Sequence, residues 1–323
     1  MKKTFIYLVL SSILLAACSG APAQENTSNE DRNQEAEVEE QTSFTIGFIP
    51  SEKAAELTPK AERLGNFLEK EMGMEVEVVV PTDYEPLIEG LKFNHLDAAF
   101  MDSGPAYLAT TKADAEVVLA ELKNGSPFYY GEVFVASDNE EINSLDDAVG
   151  KKIAFTSWTG SSGFIFPIGT MVDRGLISPE GEDFVALEKA IAETFESYHV
   201  AGGYKQALDL LIEGKVDLAA GAHDAAEKYL EEEDQDKIKT IERLGKVPSH
   251  PVVTSSELSD EVEEKFVAAM MKLNEEENQK SLKDLYGVDG LVETTTEEHL
   301  SDFGPIFEGL TGVHDKVFEK HKN

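Results

Sequence analysis

The chain has 323 residues, with 63 acidic and 28 basic side chains and a formal net charge of −35 at pH 7. A polyanionic surface repels nucleic acid and anionic lipid, so the composition argues against both as partners of the folded part. The single cysteine, Cys18, excludes an internal disulfide, a thiolate metal cluster and a buried catalytic thiol in that part.

The first 17 residues have the pattern of a bacterial lipoprotein signal. Lys2 and Lys3 form a short basic region, residues 5–15 are apolar but too few for a comfortable membrane span, and small residues precede Cys18. Such signals are cleaved before the cysteine, so we expect a lipid on Cys18 to anchor the chain to the cell membrane, outside the cytoplasm. The alternative is an ordinary secretory signal with an incidental cysteine.

The next segment, residues 18–43, is predicted to be a disordered tether. It contains almost no large apolar side chains and is rich in Ser, Asn, Gln, Glu, Ala and Thr. A segment of this composition cannot bury enough surface to offset its ordering entropy. The remaining residues are enough for one large domain or two lobes of ordinary size.

Short apolar runs alternate with helical patterns from residue 44 onward. The predicted strands are 44–49, 76–80, 97–101 and 117–120, and the predicted helices are 57–72, 84–92 and 104–112. This alternation predicts a mostly parallel sheet between helices, in which ligands bind at the carboxyl ends of the strands.

The same alternation starts again at residue 131. The predicted strands are 131–136, 152–155, 196–200 and 216–220, and the predicted helices are 164–174, 204–213 and 224–232. Two α/β units in succession indicate two lobes with a cleft between them.

The last part of the chain predicts how the lobes are joined. After an apolar run at 238–244, Pro248 and Pro251 bracket a short extended segment, and a strand at 252–254 and a helix at 260–273 follow. A return crossing there, with helices 297–307 and 312–321 packed on the first lobe, gives a two-strand hinge. Lobe 1 is then residues 44–130 plus 246–323, and lobe 2 is residues 131–245. Hinged lobes are suited to closing on a small solute.

Residues 156–163 read Thr-Ser-Trp-Thr-Gly-Ser-Ser-Gly and separate a predicted strand from a predicted helix. Hydroxyl groups, unpaired backbone N–H groups and the positive end of a helix dipole meet at such a turn. The pattern indicates an oxyanion receptor at this turn. A plain helix cap at Ser161 or Ser162 is the alternative.

Other chemistry has little support in the sequence. The seven histidines show no metal-ligand spacing, and the chain has neither a nucleotide-binding Gly-rich loop before a lysine nor a Gly-x-Ser-x-Gly elbow. We therefore expect no metal, no cofactor and no catalytic residues. Trp158, beside the turn, is expected to pack as a lid or between the lobes rather than to stack on a substrate.

Six stretches of the chain carry a family resemblance. They are Ile-Gly-Phe-Ile-Pro at 46–50, Asp-Tyr at 83–84, Asp-Ala-Ala-Phe at 97–100 running into Gly-Pro-Ala-Tyr at 104–107, Leu-Asp-Asp-Ala-Val-Gly-Lys-Lys-Ile-Ala-Phe at 145–155, Gly-Ser-Ser-Gly at 160–163 with a proline at 167, and Gly-Lys-Val-Asp-Leu-Ala-Ala at 214–220. In this order they resemble the phosphate/phosphite/phosphonate-binding family of solute-binding proteins that serve ABC transporters. The resemblance covers nearly all of residues 44–310.

The resemblance implies a type II periplasmic-binding-protein fold, an α/β fold of two lobes that enclose a small oxyanion. The expected partners are this ligand and the permease and ATPase subunits of an ABC importer, and the chain is expected to be a monomer. Two alternatives stay open. One is a sensory subunit that presents the same ligand to a membrane receptor kinase, and the other is an enzyme on the same fold, which would need a nucleophile in the cleft.

The resemblance also implies site residues. The family's anion-binding turn commonly reads Ser-Thr-Ser-Gly and matches Gly160, Ser161, Ser162 and Gly163, which implies that residues 160–162 contact the anion. The first hydroxyl of that turn is missing at Gly160, and Thr159 is expected to replace it. Tyr84 matches the tyrosine that the family directs at the anion from the first lobe. Tyr129 or Tyr130 is expected near the ligand's organic end, and strand alternation favours Tyr129.

The chain departs from the family pattern at Tyr204 and Lys205, where many members have a histidine followed by an acidic residue. Tyr204 can still donate to an anion, but the missing carboxylate favours phosphate, phosphite or a small alkyl phosphonate over an aminoalkyl phosphonate. Asp102 and the neighbouring pair His223 and Asp224 are alternative sources of a carboxylate.

Overall fold

The computed structural model describes residues 41–48, 54–81, 84–310, 312–314 and 316. The predicted signal peptide at 1–17, Cys18 and the predicted tether up to residue 40 lie outside the described residues. Within the described residues the chain forms the following strands: β1 (Ser43–Phe48), β2 (Glu75–Val79), β3 (Ala98–Phe100), β4 (Glu116–Leu122), β5 (Phe128–Ala136), β6 (Lys152–Phe155), β7 (Ser197–Val200), β8 (Leu218–Ala222), β9 (Ile238–Pro248), β10 (Pro251–Thr254) and β11 (Gly290–Glu293).

The helices are mostly short and lie between the strands. They are α1 (Ala54–Met72), α2 (Glu85–Lys92), α3 (Ser103–Lys112), α4 (Phe166–Asp173), α5 (Phe184–Thr194), α6 (Tyr204–Ile212), α7 (Ala225–Tyr229), α8 (Glu232–Gln235), α9 (Asp260–Met271), α10 (Gln279–Tyr286), α11 (Thr296–Leu300) and α12 (Gly304–Glu308).

The strands form two mixed sheets, one of six strands in the order β11-β4-β10-β3-β1-β2 and one of five in the order β7-β6-β8-β5-β9. In the first, β1 runs parallel to β2 and β3, whereas β10 and β11 are antiparallel to their neighbours. In the second, β6 runs parallel to β7 and β8, whereas β5 is antiparallel to β8 and β9. The α/β class is confirmed, but the prediction of mostly parallel sheets is wrong.

The antiparallel strands are explained by the way the chain passes between the sheets. It leaves the six-stranded sheet after β4 to enter β5, and it returns from β9 to β10 through Ser249 and His250. The two connections lie side by side, because Ser249 N–H donates to Pro127 O at 3.0 Å and Glu121 N–H donates to His250 O at 3.0 Å. β4 ends where the chain leaves the six-stranded sheet and its neighbour β10 begins where the chain returns, so these two strands run in opposite directions. The same holds for β5 and β9 in the five-stranded sheet.

Each sheet is covered by helices that bury apolar side chains. On one face of the six-stranded sheet, Phe44 of β1 stacks on Phe266 of α9 with ring centroids 4.8 Å apart, and Leu64 and Leu68 of α1 are buried in the same cluster. On the five-stranded sheet, α6 packs its buried Leu208 and neighbours against β8. Each such side chain contributes about 1.5–3 kcal/mol when fully buried.

The C-terminal helices pack differently from the expectation that they lie on the first lobe alone. α11 contacts β4 and α3, but α12 contacts α4, which follows the five-stranded sheet's β6. Gly169 of α4 lies directly against the side chain of Ile306. The same segment also contacts α3, which follows β3 of the six-stranded sheet. The rings of Tyr107 of α3 and Phe307 of α12 meet edge to face, with centroids 5.9 Å apart. The end of the chain therefore contacts elements that flank both sheets.

Several predicted elements change when the chain folds. The predicted helix 224–232 is broken at Leu230, which is extended, and the predicted helix 297–307 is divided into α11 and α12. Helices α5 and α10 and strand β11 lie in stretches for which the sequence predicted no element. The predicted lobe boundaries, at residues 130/131 and 245/246, fall inside β5 and β9, which belong throughout to the five-stranded sheet.

Candidate functional site

The turn after β6 forms as the sequence predicts, and it leads into a helix. A π-helical turn, Ser161–Ile165, continues directly into α4. The N–H groups of Phe164 and Ile165 both donate to Gly160 O, at 2.9 and 3.0 Å. The first N–H groups of a helix have no partner inside it, and they carry the positive end of its dipole. The turn therefore presents a positive backbone terminus.

Glycine is required twice in this turn because the chain folds back closely on itself. A Cβ atom at Gly163 would overlap the side chain of Thr156, and one at Gly160 would lie 2.7 Å from Thr156 Oγ1 and 3.0 Å from Ser157 Oγ. There is thus a physical reason why this chain has Gly160 where the family's turn has a hydroxyl side chain. The side chains of Thr156 and Ser157 occupy the space that a side chain at residue 160 would need.

The turn faces a cavity of about 140 Å³. Thr159, Gly160 and Ser161 line it from the turn, and side chains from elsewhere in the chain close the other sides. These are Tyr84, Asp102, Ser103, Gly104, Pro105, Tyr129, Ile165, Pro248 and His250. The structure therefore brings together predicted site residues from the start of α2, the end of β3, the start of β5 and the turn after β6.

Tyr84 and Asp102 are in direct contact in the wall of this cavity. The Tyr84 hydroxyl donates to Asp102 Oδ2 at 2.6 Å, and Tyr84 is buried. A phenol can donate one hydrogen bond, and here the acceptor is a carboxylate. Tyr84 thus lines the cavity as the resemblance implies, but its proton is directed at Asp102.

His250 connects Asp102 to a second, fully buried carboxylate. Its Nε2 lies 3.1 Å from Asp102 Oδ1 and its Nδ1 lies 3.1 Å from Glu121 Oε1. Lys123 Nζ lies 3.2 Å from the other oxygen of Glu121. Burial by itself lowers the pKa of His250, but the carboxylates of Glu121 and Asp102 outweigh burial, so the pKa is raised above its usual value.

Ser162, Tyr204 and Tyr129 form a hydrogen-bonded group behind the turn. Ser162 is fully buried and its Oγ lies 2.8 Å from the Tyr204 hydroxyl. Burial raises the pKa of Tyr129 well above its usual value, and the neighbouring Tyr204 adds to this effect. Burial also raises the pKa of Tyr204. Both phenols are therefore neutral near pH 7 and can donate hydrogen bonds.

A second cavity of about 390 Å³ adjoins the first, and Tyr129 and His250 line both. It contains the remaining predicted residues, which are Tyr130, Tyr204, His223 and Asp224. Ser162 lines neither cavity, but it contacts Tyr204 and Tyr129, which do. Asp224 Oδ2 lies 2.6 Å from Lys228 Nζ, so this carboxylate already has a cationic neighbour.

Two further residues near the turn line neither cavity. Lys205 forms a surface ion pair with Asp209 at 3.0 Å. Trp158 packs against other aromatic side chains, and its ring makes edge contacts with Phe164, Phe184 and Tyr198, at 5.1, 4.9 and 5.9 Å.

Sequence reasoning missed His250 and Glu121 as members of the site. The spacing of the histidines gives no sign of this contact, but His250 lies between the two prolines of the predicted return crossing. Residues at a crossing face both lobes, and that position was the available signal. In the part of the chain that the structure describes, no group of three or more His, Cys, Asp or Glu side chains is arranged to hold a metal ion.

A larger cavity of about 1170 Å³ lies away from this turn, beside α3, β4, α9 and α11. Its lining includes Glu116, Glu263, Glu264, Glu293 and Glu297. A carboxylate-rich groove repels an oxyanion, so the smaller cavity at the turn is the candidate site.

No helix among the described residues has both the length and the apolar character that crossing a membrane requires.

Comparison with known proteins agrees with this geometry. The model of a family described as "ABC transporter, phosphonate, periplasmic substrate-binding protein" matches residues 46–299. The chain is 28% identical over 176 residues to the phosphate-import protein PhnD of Mycolicibacterium smegmatis, covering 53% of this chain and 52% of that protein. It is 25% identical over 254 residues to the phosphonates-binding periplasmic protein of Escherichia coli, covering 77% of this chain and 71% of that one.

A solved structure shares the fold. PhnD1 from Prochlorococcus marinus, in complex with methylphosphonate, superposes with a TM-score of 0.55 at 13% identity, over 84% of this chain and 99% of that one. The family consists of extracytoplasmic solute-binding transport proteins rather than enzymes, and its model matches most of this chain. The chain belongs to the family of periplasmic substrate-binding proteins of phosphonate ABC transporters.

Proposed function

We propose that this chain is the lipid-anchored, extracytoplasmic solute-binding component of an ABC importer, and that it binds a phosphate, phosphite or phosphonate between its two sheets. The observation that carries the proposal is the cavity of about 140 Å³, which joins the helix-terminal turn at Thr159–Ser161 to side chains from the other sheet. Relatives named for phosphate import and for phosphonate binding support this ligand class.

Neutral donors at the turn contact the anion in the proposed complex, whereas His250, which lines the same cavity, is held between Asp102 and Glu121. The turn offers the N–H groups of the first helical residues and the hydroxyls of Thr159 and Ser161, and no lysine or arginine lines the cavity. A helix N-terminus binds a tetrahedral oxyanion without a cationic side chain. Selection then depends on shape and on the pattern of donors and acceptors rather than on net charge.

The size of the cavity favours a small ligand. At a share of about 30 Å³ per water molecule, 140 Å³ corresponds to a few waters and to a similar number of heavy atoms in a tetrahedral anion. The adjoining cavity, lined by Tyr129, Tyr130 and Tyr204, leaves space for an organic substituent. The preference for a simple anion thus rests on the size of the first cavity and on the absence of a carboxylate at Lys205.

Calorimetric titration of the purified protein with phosphate, phosphite and methylphosphonate tests the ligand class. We expect Ser161→Ala to weaken binding by about 1–3 kcal/mol, because it removes one hydrogen bond to a charged group. Ser301→Ala, at an exposed position beyond α11, is the matched control and should bind as the unmodified protein does. Absence of binding for all three anions would reject the proposal.

The proposed lipid anchor is attached at Cys18. Whether the chain serves an importer or a receptor is tested separately, by deletion of its gene. Metabolic labelling of cells with a radioactive fatty acid should label the unmodified protein but not Cys18→Ala, and an equally labelled variant would contradict a lipid at this residue. The sensory alternative shares the same ligand site. Loss of ligand uptake on deletion of this gene supports import, whereas unchanged uptake with a lost transcriptional response supports sensing.

A further inference from the structure

A carboxylate lines the cavity in which we place an oxyanion. Asp102 follows β3 directly and is the residue before α3, yet its side chain does not cap that helix. It lies in the same lining as Thr159, Gly160 and Ser161. Two like charges within a few ångströms repel each other strongly away from bulk water, so this placement needs an explanation.

The contacts of Asp102 define it as a hydrogen-bond acceptor. The Tyr84 hydroxyl donates to its Oδ2 at 2.6 Å, and His250 Nε2 lies 3.1 Å from its Oδ1. The other ring nitrogen of His250 lies 3.1 Å from Glu121 Oε1, and an imidazole between two carboxylates satisfies both only with a proton on each nitrogen. Asp102 is therefore surrounded by donors, and both of its oxygens act as acceptors.

An ionised carboxylate can contact an oxyanion favourably when the oxyanion supplies a proton. The ligand's O–H group then donates to the carboxylate, and a charge-assisted hydrogen bond replaces the repulsion. A carboxylate accepts up to about four hydrogen bonds, and its place in the lining allows the ligand to supply one of them. A ligand without such a proton leaves two anionic oxygens facing each other.

We propose that Asp102 accepts a hydrogen bond from a protonated oxygen of the bound ligand, and thereby restricts the site to oxyanions that carry an O–H group. The inference rests on the proposed function and specifies its ligand class. The monoanions of phosphate, phosphite and an alkyl phosphonate qualify. Sulfate and alkyl sulfonates have the same tetrahedral shape but carry no proton near neutral pH, and the site rejects them.

Other groups around Asp102 act with it. Tyr84 and His250 contact it directly, Glu121 and Lys123 act through His250, and Tyr129 lies near enough for the charge of Asp102 to affect it. Binding is therefore compared at one fixed pH near neutrality, so that the protonation of these groups stays the same across ligands.

The experiment compares two isosteric monoanions, methylphosphonate and methanesulfonate, which differ in the P–OH group. We expect the unmodified protein to bind methylphosphonate at least about a hundredfold more tightly, because a site built to bond an O–H group rejects an analogue that lacks it. In Asp102→Asn the amide can donate to the sulfonate, so this ratio should fall at least about tenfold. Asp209→Asn, which alters a surface carboxylate paired with Lys205 outside both cavities, is the matched control and should keep the ratio.

Each outcome has a distinct meaning. A protein that binds none of phosphate, phosphite and methylphosphonate overturns the proposed function itself. A protein that binds methylphosphonate, but whose ratio is unchanged in a folded Asp102→Asn variant, overturns only the role of Asp102. Should that variant fail to fold, the unmodified protein still decides, because sulfate binding as tight as phosphate binding contradicts the proposal.

Discussion

His250 shows most clearly how single residues determine the chemistry of this cavity. It lies between Asp102 and Glu121, and it was absent from the sequence-based site because histidine spacing alone carries no information about such a contact. Tyr84 and the turn at Thr159–Ser161 were predictable, since both lie in stretches that resemble the family. The partner of the Tyr84 proton was not predictable, because Asp102 becomes its neighbour only when β3 and α2 pack together.

The raised pKa of His250 predicts a pH dependence of stability. A histidine whose folded-state pKa lies above its unfolded value of about 6.5 contributes stability that is fully present below that value. The contribution is lost as the pH rises through the folded-state pKa. Compared with His250→Gln, the unmodified protein should therefore have its largest advantage in melting temperature at mildly acid pH, and the advantage should shrink toward alkaline pH.

The control is His95→Gln at an exposed position, which should show no such pH-dependent difference. Thermal melts from mildly acid to alkaline pH provide the comparison. A difference between the unmodified protein and His250→Gln that grows with increasing pH would contradict the ion pairs seen around His250.

The elements most accessible from sequence are those that local pattern alone determines. The strand β6 was predicted with its observed bounds, because a short apolar run ends at an evident turn. Helix α5 was missed although Asp183 caps it, accepting from Ala186 N–H at 2.8 Å, and although Leu187, Ala190 and Ile191 have helical spacing. The strand directions could not be predicted locally, because β10 and β5 take theirs from the crossings between sheets.

The close packing inside the turn gives a prediction for this element. Gly163→Ala should destabilise the protein by about 1–3 kcal/mol, since its Cβ would overlap the Thr156 side chain in a well-packed region. Gly309→Ala is the control, because a Cβ there would meet only ordinary contacts, at 3.6 and 3.7 Å. Urea unfolding measures both changes.

A double variant separates overlap from other effects of Gly163→Ala. Adding Thr156→Ala removes Oγ1 and Cγ2, the two atoms nearest to the new methyl group, and leaves only the Cβ of residue 156, at 2.8 Å. The two changes together should therefore cost less than the sum of their separate effects. Strict additivity would show that the contact with Thr156 is not the reason for glycine at this position.

At the scale of the whole molecule, two sheets meet around a small cavity, and the end of the chain packs against elements that flank both. The alternation of strand and helix patterns predicted the two α/β units, and Pro248 and Pro251 indicated the return crossing, whereas the contact of α12 with α4 could not be predicted from a sequence pattern. The net charge of −35 makes the outside of the molecule unfavourable for anions. The hydrogen-bond donors at the turn must therefore outweigh the repulsion of the anion by the net negative charge of the protein, and this requires that they be well aligned with the anion's oxygens.

A crystal structure of the protein with methylphosphonate tests the central claim most directly. We predict the phosphonate group in the cavity at Thr159–Ser161, with oxygens within about 3.2 Å of the backbone N–H groups that open the helix. One further oxygen should lie within hydrogen-bond distance of the Asp102 carboxylate. A ligand bound elsewhere, with this cavity left to water at saturating methylphosphonate, would contradict the account.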